Sequence, residues 1–272
     1  MSIVERLQYY DLEGIRVGRF TSRLNTTCIL YRLGSTVVDT GPPNQWRYVR
    51  RFLEERKVRR VLVTHHHEDH SGNLKPIRRQ WNPELLAPET GRAMLANGFQ
   101  VQTYRRVVWG KPQEVETRSL PQQLELESGV RLRPIHTPGH SPDSTCFLAP
   151  GRGWLFTGDL YIAARTRYLR QDEDVGGYIS GLRRVLEEDF QTVICSHRGV
   201  LEQGREALRR KLDNLITLCE QARDLRELGL RPAEISSRLM GREDHLAWIS
   251  RGHFCKRNLV ESCLVAVDRG VV

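Results

Sequence analysis

Six consecutive residues of this chain, His65 to His70, read His-His-His-Glu-Asp-His. Imidazole and carboxylate are the ordinary ligands of zinc. Groups of this kind cannot all enter a core without a large desolvation cost, so they need a metal or water. The run follows directly on VRRVLVT at 58–64, an apolar strand-like segment. It therefore sits at the C-terminal end of a strand, where α/β proteins place their sites. A solvated His-rich loop is the other reading of the run taken alone. Three later segments argue against it. His140 stands in TPGHS after VRLRPIH, Asp159 in FTGD after GWLF, and His197 in CSHRG after QTVIC. Each time the order is strand, glycine-bearing turn, ligand. Glycine lets the backbone turn tightly beside a ligand. A single histidine is more often structural, but one consistent arrangement at four strand ends is hard to explain by chance.

The rest of the chain supports a layered α/β architecture. IRVGRF at 15–20, TCILYRL at 27–33 and STVVD at 35–39 read as an antiparallel meander. Residues 45–57 read as a helix, with a short helix beginning near Ser71. In the second half, 130–136, 144–149, 153–159 and 191–197 read as strands, and 177–188 as a helix. From about residue 201 the character changes. Leu208, Leu212, Leu215, Cys219, Ala222 and Leu225 recur at helical spacing. Arg231-Pro232 opens another helix, and a last one covers about 253–267. Residues 1–200 are thus expected to form the α/β domain and 201–272 a helical C-terminal extension.

Composition narrows the class. At 272 residues and 39% hydrophobic content the chain can bury a sizeable core. No apolar run reaches the ~18 residues of a membrane span, and the first residues lack the apolar core of a secretory signal. The six cysteines, Cys28, Cys146, Cys195, Cys219, Cys255 and Cys263, are scattered, which speaks against a disulfide framework. A cytoplasmic location without membrane partners is expected. The formal charge of +9 favours anionic partners in general; a small-molecule substrate is expected, and nucleic acid is less favoured because no RNA-binding module is recognisable.

With these residues in view, the chain resembles the metallo-β-lactamase-fold hydrolase superfamily over about residues 15–200. The match is H-x-H-x-D-H at His65, His67, Asp69 and His70, followed by His140, Asp159 and His197. The resemblance implies an α/β fold, a four-layer αββα sandwich. It implies two divalent metal ions, zinc foremost, with manganese or iron as alternatives. His65, His67 and His140 would hold the first ion, and Asp69, His70 and His197 the second. Asp159 would bridge both. Asp39, in VVDTG, matches an early structural aspartate. It is expected to accept backbone N–H groups of the His-rich loop. His66 and Glu68 fill the variable positions and, if the turn is extended, point away from the metals. Arg198 departs from the pattern, since many relatives carry glycine there.

The activity implied is hydrolysis by a metal-bound hydroxide, with Asp69 orienting the nucleophile or accepting a proton. No Gly-x-Ser-x-Gly nucleophile elbow is present. The superfamily hydrolyses thioesters, lactones, β-lactams and phosphodiesters. The helical C-terminus resembles the small hydrolases related to hydroxyacylglutathione hydrolase and to the β-lactamase-like endoribonuclease. A small ester, thioester or lactone is the preferred substrate. The alternatives are a phosphodiesterase or endoribonuclease, and a non-hydrolytic iron oxygenase or metal-binding protein. Segments 100–111 and 161–170 are candidate pocket walls, as are His253, Lys256 and Arg257 near the C-terminus.

Overall fold

A computed structural model describes residues 2–20, 26–127 and 129–272. The chain divides into two compact units. The first comprises residues 1–136, 142–162 and 189–204, and the second 137–141, 163–188 and 205–272.

The first unit is built on two sheets. Strands β1 (Ser2–Tyr9), β2 (Leu12–Arg19), β3 (Thr27–Leu33), β4 (Thr36–Val38), β5 (Arg60–Leu62), β6 (Glu84–Ala87) and β7 (Arg118–Ser119) follow one another in that spatial order. The first four are antiparallel neighbours, as the meander requires, and β4 to β7 run parallel. The second sheet joins β8 (Leu124–Glu125), β9 (Arg131–His136), β10 (Thr145–Ala149), β11 (Trp154–Gly158), β13 (Thr192–Cys195) and β14 (Gly199–Leu201). Strand β1 escapes the sequence reading. It is an edge strand in which Glu5, Arg6 and Gln8 are exposed and interrupt the apolar alternation.

The two-residue period of the first sheet sorts its side chains into two cores. Ile29, Tyr31, Leu33, Val38, Leu62 and Leu86 meet Phe147, Trp154, Phe156 and Ile194 of the second sheet. Leu30, Val37, Val61 and Leu85 face the other way. There they pack against helices α1 (Trp46–Leu53), α3 (Leu74–Trp81) and α4 (Glu89–Asn97) through Val49, Phe52, Leu74, Ile77 and Leu95. Each such large side chain contributes about 1.5–3 kcal/mol when removed from water. At one end the sheets are also tied by hydrogen bonds. Ile29 N donates to Ser196 O at 2.6 Å, Thr145 N to Thr64 O at 2.9 Å, and Tyr31 Oη to Cys195 O at 2.7 Å. These ties fix the strand ends from which the site residues project.

The second unit is mainly helical: α6 (Val175–Leu186), α7 (Gly204–Glu227, whose first residue belongs to the first unit), α8 (Pro232–Met240), α9 (His245–Ile249) and α10 (Lys256–Asp268). A two-stranded ribbon, β12 (Leu169–Arg170) with β15 (Phe254–Cys255), accompanies them. The buried stripe of α7 runs through Leu208, Lys211, Leu215, Cys219 and Ala222. Lys211 takes a core position that the apolar spacing assigned to Leu212. Its ammonium lies 4.4 Å from the centroid of the Tyr178 ring, which offers a buried cation a negative face. All six cysteines are buried, and none forms a disulfide. No described helix is long and apolar enough to cross a membrane.

Candidate metal centre

The first unit gathers six of the seven predicted ligand residues. His65, His67, Asp69, His70, Asp159 and His197 are all buried. His65 comes three residues after the end of β5. His67 caps α2 (Glu68–Ser71), so Asp69 and His70 stand on a helical turn rather than on the extended turn expected from sequence. The carbonyl of His67 accepts the amides of His70 and Ser71, closing that turn. Asp159 follows β11 after Gly158, whose φ is +48°. A Cβ at Gly158 would lie 2.9 Å from the Thr64 side chain, so only glycine lets this strand end pass.

The ligand-type atoms of His65, His70 and Asp159 lie within 4.8 Å of one another, as do those of Asp69, His70 and His197. Asp159 Oδ1 is 3.1 Å from His70 Nε2 and 2.9 Å from His197 Nε2. His65 and His67 likewise bring their ring nitrogens within 4.8 Å.

Three of the imidazoles are aimed from behind. Asp39 Oδ2 lies 2.8 Å from His70 Nδ1, Thr27 O 2.7 Å from His197 Nδ1, and Thr64 Oγ1 3.0 Å from His65 Nδ1. Asp39 carries more than the expected backbone contact. Its carboxylate accepts Thr64 N at 2.9 Å, Thr64 Oγ1 at 3.0 Å and Ser196 Oγ at 3.0 Å, besides facing His70. To do so Asp39 adopts φ +60°, a left-handed backbone that aspartate tolerates better than most residues.

This arrangement fits divalent cations. With Nδ1–H donating to Asp39, His70 turns a lone pair at Nε2 toward Asp159. That nitrogen is buried and makes no hydrogen bond, although the carboxylate oxygen is 3.1 Å away. Two electron-rich atoms so placed call for a positive charge between them. Protonation shows the same appetite. Burial works against charging His70, yet Cys28 and the carboxylates of Asp39, Asp159 and Asp69 hold its imidazole well above the usual range. Burial likewise opposes the His197 cation, and Asp159 and Asp69 outweigh it.

The variable positions of the motif are anchors. His66 N and Nδ1 both meet Asp143, at 2.7 and 2.8 Å. Glu68 receives Arg105 of α5 (Thr103–Val108) through two contacts of 2.7 Å. Arg105 is therefore turned inward.

His140 belongs to the second unit. There Glu173 Oε1 lies 2.6 Å from its Nδ1 and Tyr178 Oη 3.1 Å, while Arg170 donates to its carbonyl at 2.9 Å. Burial opposes ionisation of Glu173, but the Arg170 guanidinium, His140 and the Arg170 amide bring its carboxyl down to about 2. In the same unit Arg165 and Arg167 are exposed, Lys256 donates to Arg242 O at 2.6 Å, and Arg257 pairs with Glu261 at 2.7 Å. Asp143, Glu173 and Arg105 were not singled out from sequence. Each is a common charged residue far along the chain from the histidine or glutamate it holds.

Comparisons with known proteins agree with this geometry. Residues 22–197 match the model of the metallo-beta-lactamase superfamily. The lactamase-like protein aptB of Emericella nidulans is 28% identical over 177 residues, covering 64% of this chain and 50% of that protein. The thioesterase pkgB of the same organism is 33% identical over 144 residues, covering 49% of this chain and 35% of that protein. This chain thus spans about half the length, or less, of these two curated relatives. A beta-lactamase domain protein from Burkholderia ambifaria superposes with a TM-score of 0.72 over 97% of this chain and 89% of its own, at 18% identity, which shows a shared fold. The matched stretch contains Asp39 and every ligand-type residue from His65 to His197, and the chain belongs to the metallo-beta-lactamase superfamily.

Proposed function

We propose that the protein is a metal-dependent hydrolase of a small thioester, ester or lactone, with thioesters foremost. The observation that carries the reading is the position of Asp159. One carboxylate has an oxygen within 4.8 Å of a ring nitrogen of His65, which this reading gives to the first ion, and 3.1 and 2.9 Å from Nε2 of His70 and His197, which it gives to the second. In this reading His65, His67 and His140 hold the first ion and Asp69, His70 and His197 the second. Imidazole and carboxylate donors suit zinc, and also manganese or iron. Two such ions would supply a water acidic enough to ionise near neutrality and a Lewis acid for the carbonyl under attack.

The chain's own residues do the rest. Asp39, Thr64 and Thr27 O hold the Nδ1 side of three rings, so His65, His70 and His197 need not turn to present Nε2, and binding costs His70 and His197 only the proton that the raised rings carry. Asp69, on its helical turn, uses its second oxygen to accept a hydrogen bond from the attacking water and aim it. A thiol leaving group, with a pKa of about 8.5, departs as thiolate without a proton donor. One carboxylate proton acceptor is then sufficient. The thioesterase named among the relatives supports the choice of substrate.

The test is a panel of thioesters, esters and lactones, with bis-p-nitrophenyl phosphate and short RNA beside them, each with added zinc or manganese. Thioester hydrolysis abolished by chelation and by Asp69→Ala is expected. Turnover of the phosphodiesters alone would refute the substrate class, and full activity after metal removal would refute the mechanism.

A further inference from the structure

Glu68 stands between two predicted ligands, His67 and Asp69, and is fully buried. A buried carboxylate at that point places a second negative charge beside Asp69. Arg105 answers it with a two-pronged contact, Nε to Oε1 and the terminal nitrogen to Oε2, both at 2.7 Å. Arg105 is itself only 4% exposed, so the pair is screened little by water. The fork geometry fixes the direction of the carboxylate as well as its charge.

The helix that delivers Arg105 is tied to the same loop as the metal turn. Asn44 N donates to Trp109 O at 3.2 Å, and Asn44 Nδ2 to Val108 O at 2.8 Å. On the other side of that loop, a Cβ at Gly72 would come within 2.3 Å of Pro43. Residues 42–44 are therefore held between α5 and the end of the turn that carries Asp69 and His70. This gives Arg105 a fixed base from which to hold Glu68.

We infer that Arg105 is a positioning residue of the metal centre: by gripping Glu68 it sets where His67 and Asp69 stand on either side of it. The inference rests on the metal reading above. Arg105 touches neither substrate nor ion in this role. It acts through Glu68 on the spacing of the ligands.

Positioning must be separated from simple neutralisation of a buried charge. Four proteins do this: wild type, Arg105→Lys, Arg105→Met and the double variant Glu68→Gln/Arg105→Met. The double variant carries no buried charge at either place, so it remains informative should Arg105→Met fail to fold. Each is stripped with a chelator, checked by circular dichroism and thermal melting, and titrated with zinc in competition with a chromophoric chelator. Loss of a partner directly behind a ligand typically lowers metal affinity by about 10–100-fold, and Arg105 stands one residue further back, so the lower end of that range, about 10-fold, applies. We expect a loss of that order in the folded double variant, and a smaller loss in Arg105→Lys, which keeps the charge without the fork. A double variant that melts like wild type and binds zinc with wild-type affinity overturns the inference and reduces Arg105 to charge compensation. A wild type that takes up no zinc, manganese or iron overturns the metal reading and this inference with it.

Discussion

Replacing Asp39 by Asn should cost the second metal position without unfolding the protein. The substitution keeps the shape of the side chain, and Asn accepts the φ of +60° at this residue as readily as Asp. What changes is the donor pattern. The carboxylate faces Thr64 N at 2.9 Å through one oxygen and His70 Nδ1 at 2.8 Å through the other. An amide has one oxygen to give. If that oxygen stays on Thr64, an NH2 group faces His70, and the ring must move its proton from Nδ1 to Nε2. The proton then occupies the nitrogen that lies 3.1 Å from Asp159, where a cation is needed. If the amide flips, Thr64 N loses its acceptor in a buried place. Hydrogen bonds to charged groups contribute roughly 1.5–3 kcal/mol, and a stranded buried donor costs a similar amount. At about 1.4 kcal/mol per decade this is roughly a 10- to 100-fold loss of affinity. The assay is zinc titration of the stripped protein, with the number of tight equivalents counted. Asp39→Asn should bind one ion tightly and the second weakly. Two equivalents at wild-type affinity would refute the role given to Asp39.

Asp159→Ala should weaken both metal positions, because in the proposed reading one carboxylate is shared by the two ions, and elemental analysis after dialysis should find less than one ion per chain. His66→Ala should leave metal content almost unchanged, since that ring is held by Asp143 rather than aimed at the ligands; loss of an ion there would mean that the motif has been read out of register. The raised His70 and His197 imidazoles favour the metal-free fold at low pH. Their stabilisation is complete below the ordinary histidine pKa of about 6.5 and is lost as pH rises through the higher folded values. Melting temperature of stripped protein should therefore fall above that pH while zinc affinity rises, and a stripped protein that gains stability there would contradict this. Glu173 shifts from an ordinary 4.5 to about 2 and is buried, so at about 1.4 kcal/mol per unit it contributes on the order of 3 kcal/mol. That stabilisation is present above pH 4.5 and lost as pH falls toward about 2, and Glu173→Gln should remove the acid-dependent part of the unfolding curve over that window.

The kinds of residue at the candidate site, and the strand ends that bear them, are legible in residue order. A metal ligand must be one of a few side chains, and a strand end near a glycine is visible in the apolar pattern, so His65, Asp159 and His197 stand out as candidates from residue order alone. Residue order also determined the faces of the sheet, because Ile29 and Leu30 in one strand must point to opposite cores. It did not reveal β1, whose apolar alternation is interrupted at Glu5, Arg6 and Gln8, nor the helical turn at Glu68–Ser71, which is too short to have an apolar period. Tertiary structure alone decided which charged residues stand behind the ligands. Asp143 lies 77 residues from His66, Arg105 37 from Glu68, and Glu173 33 from His140. In the sequence these are an aspartate, an arginine and a glutamate among 75 charged residues, most of which sit in water. A buried ion pair is recognisable only when both partners are brought together, since burial makes each costly alone and tolerable in company.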